Sequence, residues 1–131
     1  MNEDLLLKLD QFREEWGAPV NISPAPGGIG RTGGAGDSSQ HNIDVWVRVR
    51  AIDVFPQVIG PEGRRGIVTS AERQRAYEVA KKVGFTGIGL YTDTRPSNMV
   101  HLDVRADRRT GDPAKWSRVA GDYRAITEVL A

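Results

Sequence analysis

The chain contains no cysteine. That excludes disulfides, thiol nucleophiles and cysteine-based zinc sites, and it leaves the compartment open, because a chain without thiols tolerates either redox environment. No apolar run is long enough to span a bilayer. The N-terminus, Met1-Asn2-Glu3-Asp4-Leu5-Leu6-Leu7-Lys8, has no basic region ahead of its leucines and does not read as a secretory signal. The expectation is therefore cytoplasmic synthesis without membrane insertion. An excess of one charge is also missing. Eighteen Lys and Arg against seventeen Asp and Glu leave a net +1, too weak a field to draw the chain onto nucleic acid or an anionic membrane. Arg64-Arg65 and the run from Arg105 to Arg109 read as solvated faces. Histidine is scarce as well: there are two, His41 and His101.

What is present amounts to one domain, residues 1–131, whose 39% hydrophobic content can bury a real core. The stretch from Ser38 to Phe55 organises it. Read with period two, Val45, Val47, Val49, Ala51, Asp53 and Phe55 share one strand face, and Trp46, Arg48, Arg50, Ile52 and Val54 share the other. Asp53 then points where valines point, and a buried carboxylate has to be paired, hydrogen-bonded or bound to a metal. A second strand, Met99 to Arg105, alternates Val100, Leu102 and Val104 with Met99, His101, Asp103 and Arg105. If the two strands are neighbours, His41, Asp53 and His101 converge as two nitrogens and one oxygen, a set suited to zinc with a fourth position open to water. The plain alternative is two histidines that are merely exposed or hydrogen-bonded in the core.

Leu5, Leu9, Phe12 and Trp16 recur at helical spacing, with Asn2 as N-cap and Gly17 past the end, and predict a packing helix. Gly28-Ile29-Gly30-Arg31-Thr32-Gly33 fits the letters of the dinucleotide fingerprint. The required strand before and helix after are missing, since Pro24 and Pro26 precede it and Gly34 to Ser39 follow, so the stretch reads as a loop beside the site or a linker. Pro56 to Gly66 reads as another loop. Thr69-Ser70-Ala71-Glu72 is a capping box that opens a helix with Ala76, Val79, Ala80 and Val83 on one face and Gly84 at its end. Gly87 to Tyr91 is a short strand, in which Gly89 allows close backbone approach. Asp112-Pro113 predicts a short helix anchored by Trp116 and Val119, and a last helix is expected over Tyr123 to Leu130. The sum is an α+β domain with a small, mainly antiparallel sheet backed by helices.

Four segments in order, Ser39-Gln40-His41, Arg50-Ala51-Ile52-Asp53, Gly87-Ile88-Gly89-Leu90-Tyr91 and Val100-His101-Leu102-Asp103-Val104-Arg105, resemble the zinc D-Ala-D-Ala carboxypeptidase family, in particular its small phage and prophage members. The resemblance runs from about Phe12 to Trp116. It implies the fold that this family shares with the hedgehog signalling domain, zinc as cofactor, and His41, Asp53 and His101 as ligands. The connection from Asn42 to Val49 is longer than in most of the family, as in its phage-type branch. Arg31 falls near the family's arginine for the substrate carboxylate. The family's better-known members place Glu or Asp three residues before the last zinc histidine, whereas this chain has Asn98, and an amide cannot accept a proton. Asp103 is the preferred general base, with orientation of a ligand histidine as its alternative role, and Asp93 is the reserve. The expected function is a zinc peptidase acting on peptidoglycan stem peptides, as a D,D-carboxypeptidase or an endolysin-type endopeptidase; if phage-encoded, it would be made in the host cytoplasm or carried in the virion and act at the cell wall. The alternative is a catalytically silent metal-binding or wall-binding phage structural module, which Asn98 favours.

Overall fold

A computed structural model describes residues 3–23 and 50–131. His41, Arg31, the glycine-rich stretch and the strand positions from Val45 to Val49 lie outside the described residues.

The fold is α+β. Helix α1 (Glu3–Trp16) is followed by strands β1 (Val20–Ile22), β2 (Ala51–Gly60) and β3 (Gly63–Gly66). Helix α2 (Ser70–Val83) comes next, then β4 (Gly87–Tyr91), β5 (Met99–Asp103), β6 (Ala114–Val119), β7 (Asp122–Arg124) and a 3-10 turn over Ile126–Val129. The strands form one sheet in the order β1-β2-β5-β4-β6-β7, with β3 paired to β2. All neighbours are antiparallel except β4 and β6. No helix among the described residues is long and apolar enough to cross a membrane.

The core is the face that α1 and α2 cover. Leu5, Leu9, Phe12 and Trp16 from α1 and Ala76, Tyr77 and Ala80 from α2 meet Ile52, Val54, Ile88, Leu90, Val100 and Leu102 from three adjacent strands. Phe12 stacks on Trp16 and meets Phe85 edge-on, and the Trp16 indole N–H is satisfied by the Gln57 carbonyl at 2.7 Å. Helix α2 begins as its sequence predicts: the Thr69 hydroxyl accepts from the Glu72 N–H at 3.1 Å while Glu72 accepts from the Thr69 N–H at 3.1 Å. It ends on Gly84 at φ 105°, a left-handed position that suits glycine.

Three sequence expectations are corrected. Pro56 to Gly66 is not a loop: β2 runs on through Pro56 to Gly60 and turns into β3. Pro56 survives in the strand because the β2–β5 ladder stops at Val54↔Val100 and the β2–β3 ladder starts at Gln57↔Gly66, so its missing N–H falls where the strand changes partner. Asp112-Pro113 opens β6 instead of a helix; such cap-like dipeptides also serve turns, here with the Asp112 N–H donating to the Arg109 carbonyl at 3.0 Å. The last predicted helix is β7 plus the 3-10 turn, because Ala120 (φ 50°) and Gly121 (φ 86°) make a two-residue hairpin between Val119 and Asp122. The period-two division of β2 holds: Asp53 shares a face with Ala51 and Phe55, opposite to the helix-covered core that takes Ile52 and Val54.

Candidate functional site

The site is assembled by strand register on the sheet face away from the core. On β5, His101 is paired with Asp53 of β2 on one side and with Gly89 of β4 on the other, and Gly89 is in turn level with Trp116 of β6. One strand step away, Ala51, Asp103, Gly87 and Ala114 form the next row. Large side chains on the middle strand thus alternate with very small ones beside them.

The glycines are part of the construction. A β-carbon on Gly87 would overlap the Asp103 carboxylate, and one on Gly89 would come within 2.5 Å of the Trp116 indole nitrogen. Gly89 makes room for side chains, where the sequence suggested the approach of a backbone. Into these clefts fold two groups that flank His101: the Asp103 carboxylate on one side and the Trp116 ring, 5.2 Å from the imidazole, on the other.

Both imidazole nitrogens face carboxylates. Nδ1 lies 3.1 Å from Asp53 Oδ1 and Nε2 lies 2.7 Å from Asp103 Oδ2. Asp103 has no solvent exposure. Arg105 holds it in a two-pronged grip, with Nε at 2.9 Å and Nη2 at 2.6 Å, and adds its backbone N–H at 3.2 Å. Burial alone would raise the Asp103 pKa, but Arg105 and His101 outweigh it and hold the carboxyl at about 2. An ionised carboxylate accepts only, so each imidazole nitrogen donates to the carboxylate it faces; Nε2 is held by Asp103 and Nδ1, beside Asp53, is the nitrogen that a metal could take in place of its proton. Burial would lower the His101 pKa; the two carboxylates reverse the sign and raise it.

The Asp53–His101 pair fits a shared metal ion. Two donors each about 2.0–2.1 Å from a tetrahedral zinc lie roughly 3.3 Å from one another, close to the 3.1 Å found here. A carboxylate on the far imidazole nitrogen is the usual support of a ligand histidine. Among the described residues no three His, Cys, Asp or Glu side chains are grouped to hold an ion by themselves, so the described share of such a site is this pair. His41 and Arg31 lie outside the described residues.

The proposed proton acceptors are placed differently from each other. Asp103 is enclosed beneath His101, with its oxygens taken by His101 and Arg105. Asp93 is tied to Arg118 Nε at 2.9 Å and to the Gly121 N–H at 2.8 Å. Burial would raise its pKa, and the Arg118 and Gly121 hydrogen bonds bring it below the usual carboxylate range. Asn98 is a packing residue: at φ 65° its amide donates to the Ile67 carbonyl at 2.9 Å and accepts from Arg73 at 3.3 Å.

Three contributors escaped the sequence reading: Arg105, Trp116 and Tyr91. Trp116 donates from Nε1 to the Tyr91 hydroxyl at 2.9 Å, and the Arg105 guanidinium lies 5.1 Å from the Trp116 ring centre. Burial pushes the Tyr91 phenol up, Trp116 opposes that, and Tyr123 and the charge of Asp53 add to the rise. The alternation His101-x-Asp103-x-Arg105 beside Gly87-x-Gly89-x-Tyr91 was the available signal: chemistry-bearing residues on one strand face and absent side chains on its neighbour. Comparison of this chain with protein-family models, curated proteins and solved structures finds no match.

Proposed function

We propose that this chain is a zinc-dependent peptidase that cleaves peptidoglycan stem peptides, as a D,D-carboxypeptidase or an endolysin-type endopeptidase, with the hedgehog-like fold of the D-Ala-D-Ala carboxypeptidases. The observation that carries the reading is the Asp53–His101 pair, 3.1 Å apart with Asp103 locked behind the imidazole at 2.7 Å. Asp53 and His101, joined by His41, would hold zinc. Bound there, zinc would polarise a scissile carbonyl and make a water more acidic.

The chain's own residues divide the remaining work. Asp103 and Arg105 keep a proton on His101 Nε2, so the proton that Nδ1 shares with Asp53 is the one a metal would displace. Trp116 covers the other side of the imidazole and limits the water around it. Arg31 would take the substrate carboxylate through a two-pronged hydrogen bond. The depth of Asp103 supports the orienting role over that of general base, since a base needs an oxygen within hydrogen-bond reach of the proton it removes.

The second reading, a catalytically silent metal-binding or wall-binding phage structural module, is favoured by a separate observation. Asn98 is spent on Ile67 and Arg73, and Asp103 and Asp93 are each paired with an arginine. Metal analysis of the purified protein, followed by stem-peptide hydrolysis with and without chelator, separates the readings. Zinc together with chelator-sensitive cleavage supports the peptidase. Zinc without cleavage supports the silent module, and full zinc content in a variant lacking both histidines defeats the shared premise.

A further inference from the structure

The structure contains a polar group on this face that the ligand set does not use: the Tyr91 hydroxyl. Tyr91 ends β4 two residues beyond Gly89, which is level with both His101 and Trp116. Its ring leans back over Gly89, with Cε1 only 2.8 Å from where a β-carbon would stand there. The hydroxyl is therefore carried toward His101, and the indole that fixes it at 2.9 Å is the same ring that lies 5.2 Å from the imidazole. Asp53, the cross-strand partner of His101, lies on the same sheet face as this hydroxyl.

The direction of the hydrogen bond decides what the hydroxyl can do. An indole N–H donates and cannot accept, so Tyr91 accepts from Trp116 and its own proton points elsewhere. Tyr123 meets the Tyr91 ring edge-on with 6.2 Å between ring centres and is 65% exposed, so a ligand can displace it and reach the hydroxyl. A donor feeding the oxygen polarises the O–H and strengthens its outgoing bond. The result is a positioned, partly buried donor next to the place where a peptide carbonyl would be attacked.

We propose that Tyr91 is a further catalytic residue, donating a hydrogen bond to the scissile carbonyl oxygen as that oxygen gains negative charge. The proton stays on Tyr91 throughout; only the strength of the hydrogen bond changes. A donor placed in this way lowers the barrier more than it tightens the ground state, so its loss falls on kcat. The proposal rests on the peptidase reading.

The test uses the zinc-loaded full chain and three proteins: wild type, Tyr91→Phe and Tyr123→Phe. Tyr91→Phe removes the hydroxyl and keeps the ring. It should lower kcat for stem-peptide cleavage roughly a hundredfold and leave KM within about threefold, with zinc content unchanged and Tm lowered only by the loss of the Trp116 hydrogen bond. Calorimetry should show a phosphinate analogue of the D-Ala-D-Ala terminus binding more weakly by a comparable factor, while the uncleaved peptide binds as before. Tyr123→Phe should stay within about threefold of wild type in kcat. A Tyr91→Phe enzyme with wild-type kcat overturns the proposal, and so do equal losses in the two variants. If zinc-loaded wild type neither cleaves stem peptide nor binds the phosphinate, the peptidase reading falls and this proposal with it. Cleavage by wild type with an unaffected Tyr91→Phe removes Tyr91 alone.

Discussion

Along β5, Val100 and Leu102 turn toward the helices while His101 and Asp103 turn away, and the same parity divides Ile52 and Val54 from Asp53 on β2. The two faces are one residue apart in sequence and are specified differently. The helix side is filled by volume: each of its strand residues is 0–1% exposed and packs against several apolar neighbours. The opposite side is filled by charge and by omission, with glycines at 87 and 89 so that a carboxylate and an indole fit beside one imidazole. Volume is specified diffusely, because many apolar residues fill similar space. A charged cluster is specified atom by atom, because an unpaired buried charge is far more costly than an imperfect methyl contact.

The largest effect should come from the helix side. Phe12→Ala removes a fully buried ring between Trp16 and Phe85 and should cost about 3–5 kcal/mol in denaturant-monitored unfolding. If the chain binds zinc as proposed, the zinc stoichiometry of the fraction still folded should be unchanged. If this variant instead lost metal while keeping its stability, the two faces would not be separable.

Asp103→Asn reverses the pattern. The amide keeps the shape but loses the charge that fixes the His101 proton and answers Arg105, so zinc affinity should fall about 10- to 100-fold. Excess zinc should restore activity, since a positioning group acts through the ligand it holds. Competition with a chelator of known affinity reads the first effect and steady-state kinetics the second. Activity that stays about a hundredfold down at saturating zinc would return Asp103 to the role of general base.

Gly87→Ala probes the omission directly. Its β-carbon cannot coexist with the Asp103 carboxylate in place, and overpacking of this kind costs about 1–3 kcal/mol. Thermal unfolding should record the loss, and zinc affinity should drop along with it because Asp103 has to move. Ala at Gly63, where no atom lies within 4 Å of the added carbon but φ is 107°, is the control: it strains the backbone and leaves metal binding alone.

The division also explains what the sequence made legible. Helix α1, the Thr69 capping box, β5 and the α+β class were readable because periodicity and local caps state them within a few residues. Pro56, Asp112-Pro113 and Ala120-Gly121 misled because their meaning depends on partners: proline in a strand is acceptable only where the ladder changes neighbour, and that change lies in the register with β3 and β5. At the site, Asp53 and His101 were legible as a pair from their strands. The depth of Asp103 was not, since alternation tells which face a residue takes but not what Arg105 and Gly87 build around it. Asp53 shares its face of β2 with Ala51 and Phe55 as alternation predicts, while Val45 to Val49 lie outside the described residues; which face the helices cover was not legible and is set by Ile52 and Val54.

The smallest effect belongs to neither face and calibrates the others. Glu72, at the start of α2, accepts from Arg65 through both oxygens and from the Val68 and Thr69 N–H groups. The Arg65 hydrogen bond comes first among the causes that hold its carboxyl at about 2, with partial burial working against it. A carboxyl depressed in the folded state contributes stability above its unfolded value of about 4.3 and loses it as pH falls toward 2. Glu72→Gln should therefore cost about 1 kcal/mol at pH 7, the scale of a helix cap. The gap to wild type should close as pH falls from the unfolded value toward 2, because the protonated glutamic acid is then as uncharged as the amide. Thermal melts of both proteins across that range check it. A gap of the same size at both ends would mean that shape rather than charge holds this helix start, and that the distinction between volume and charge does not extend to the surface.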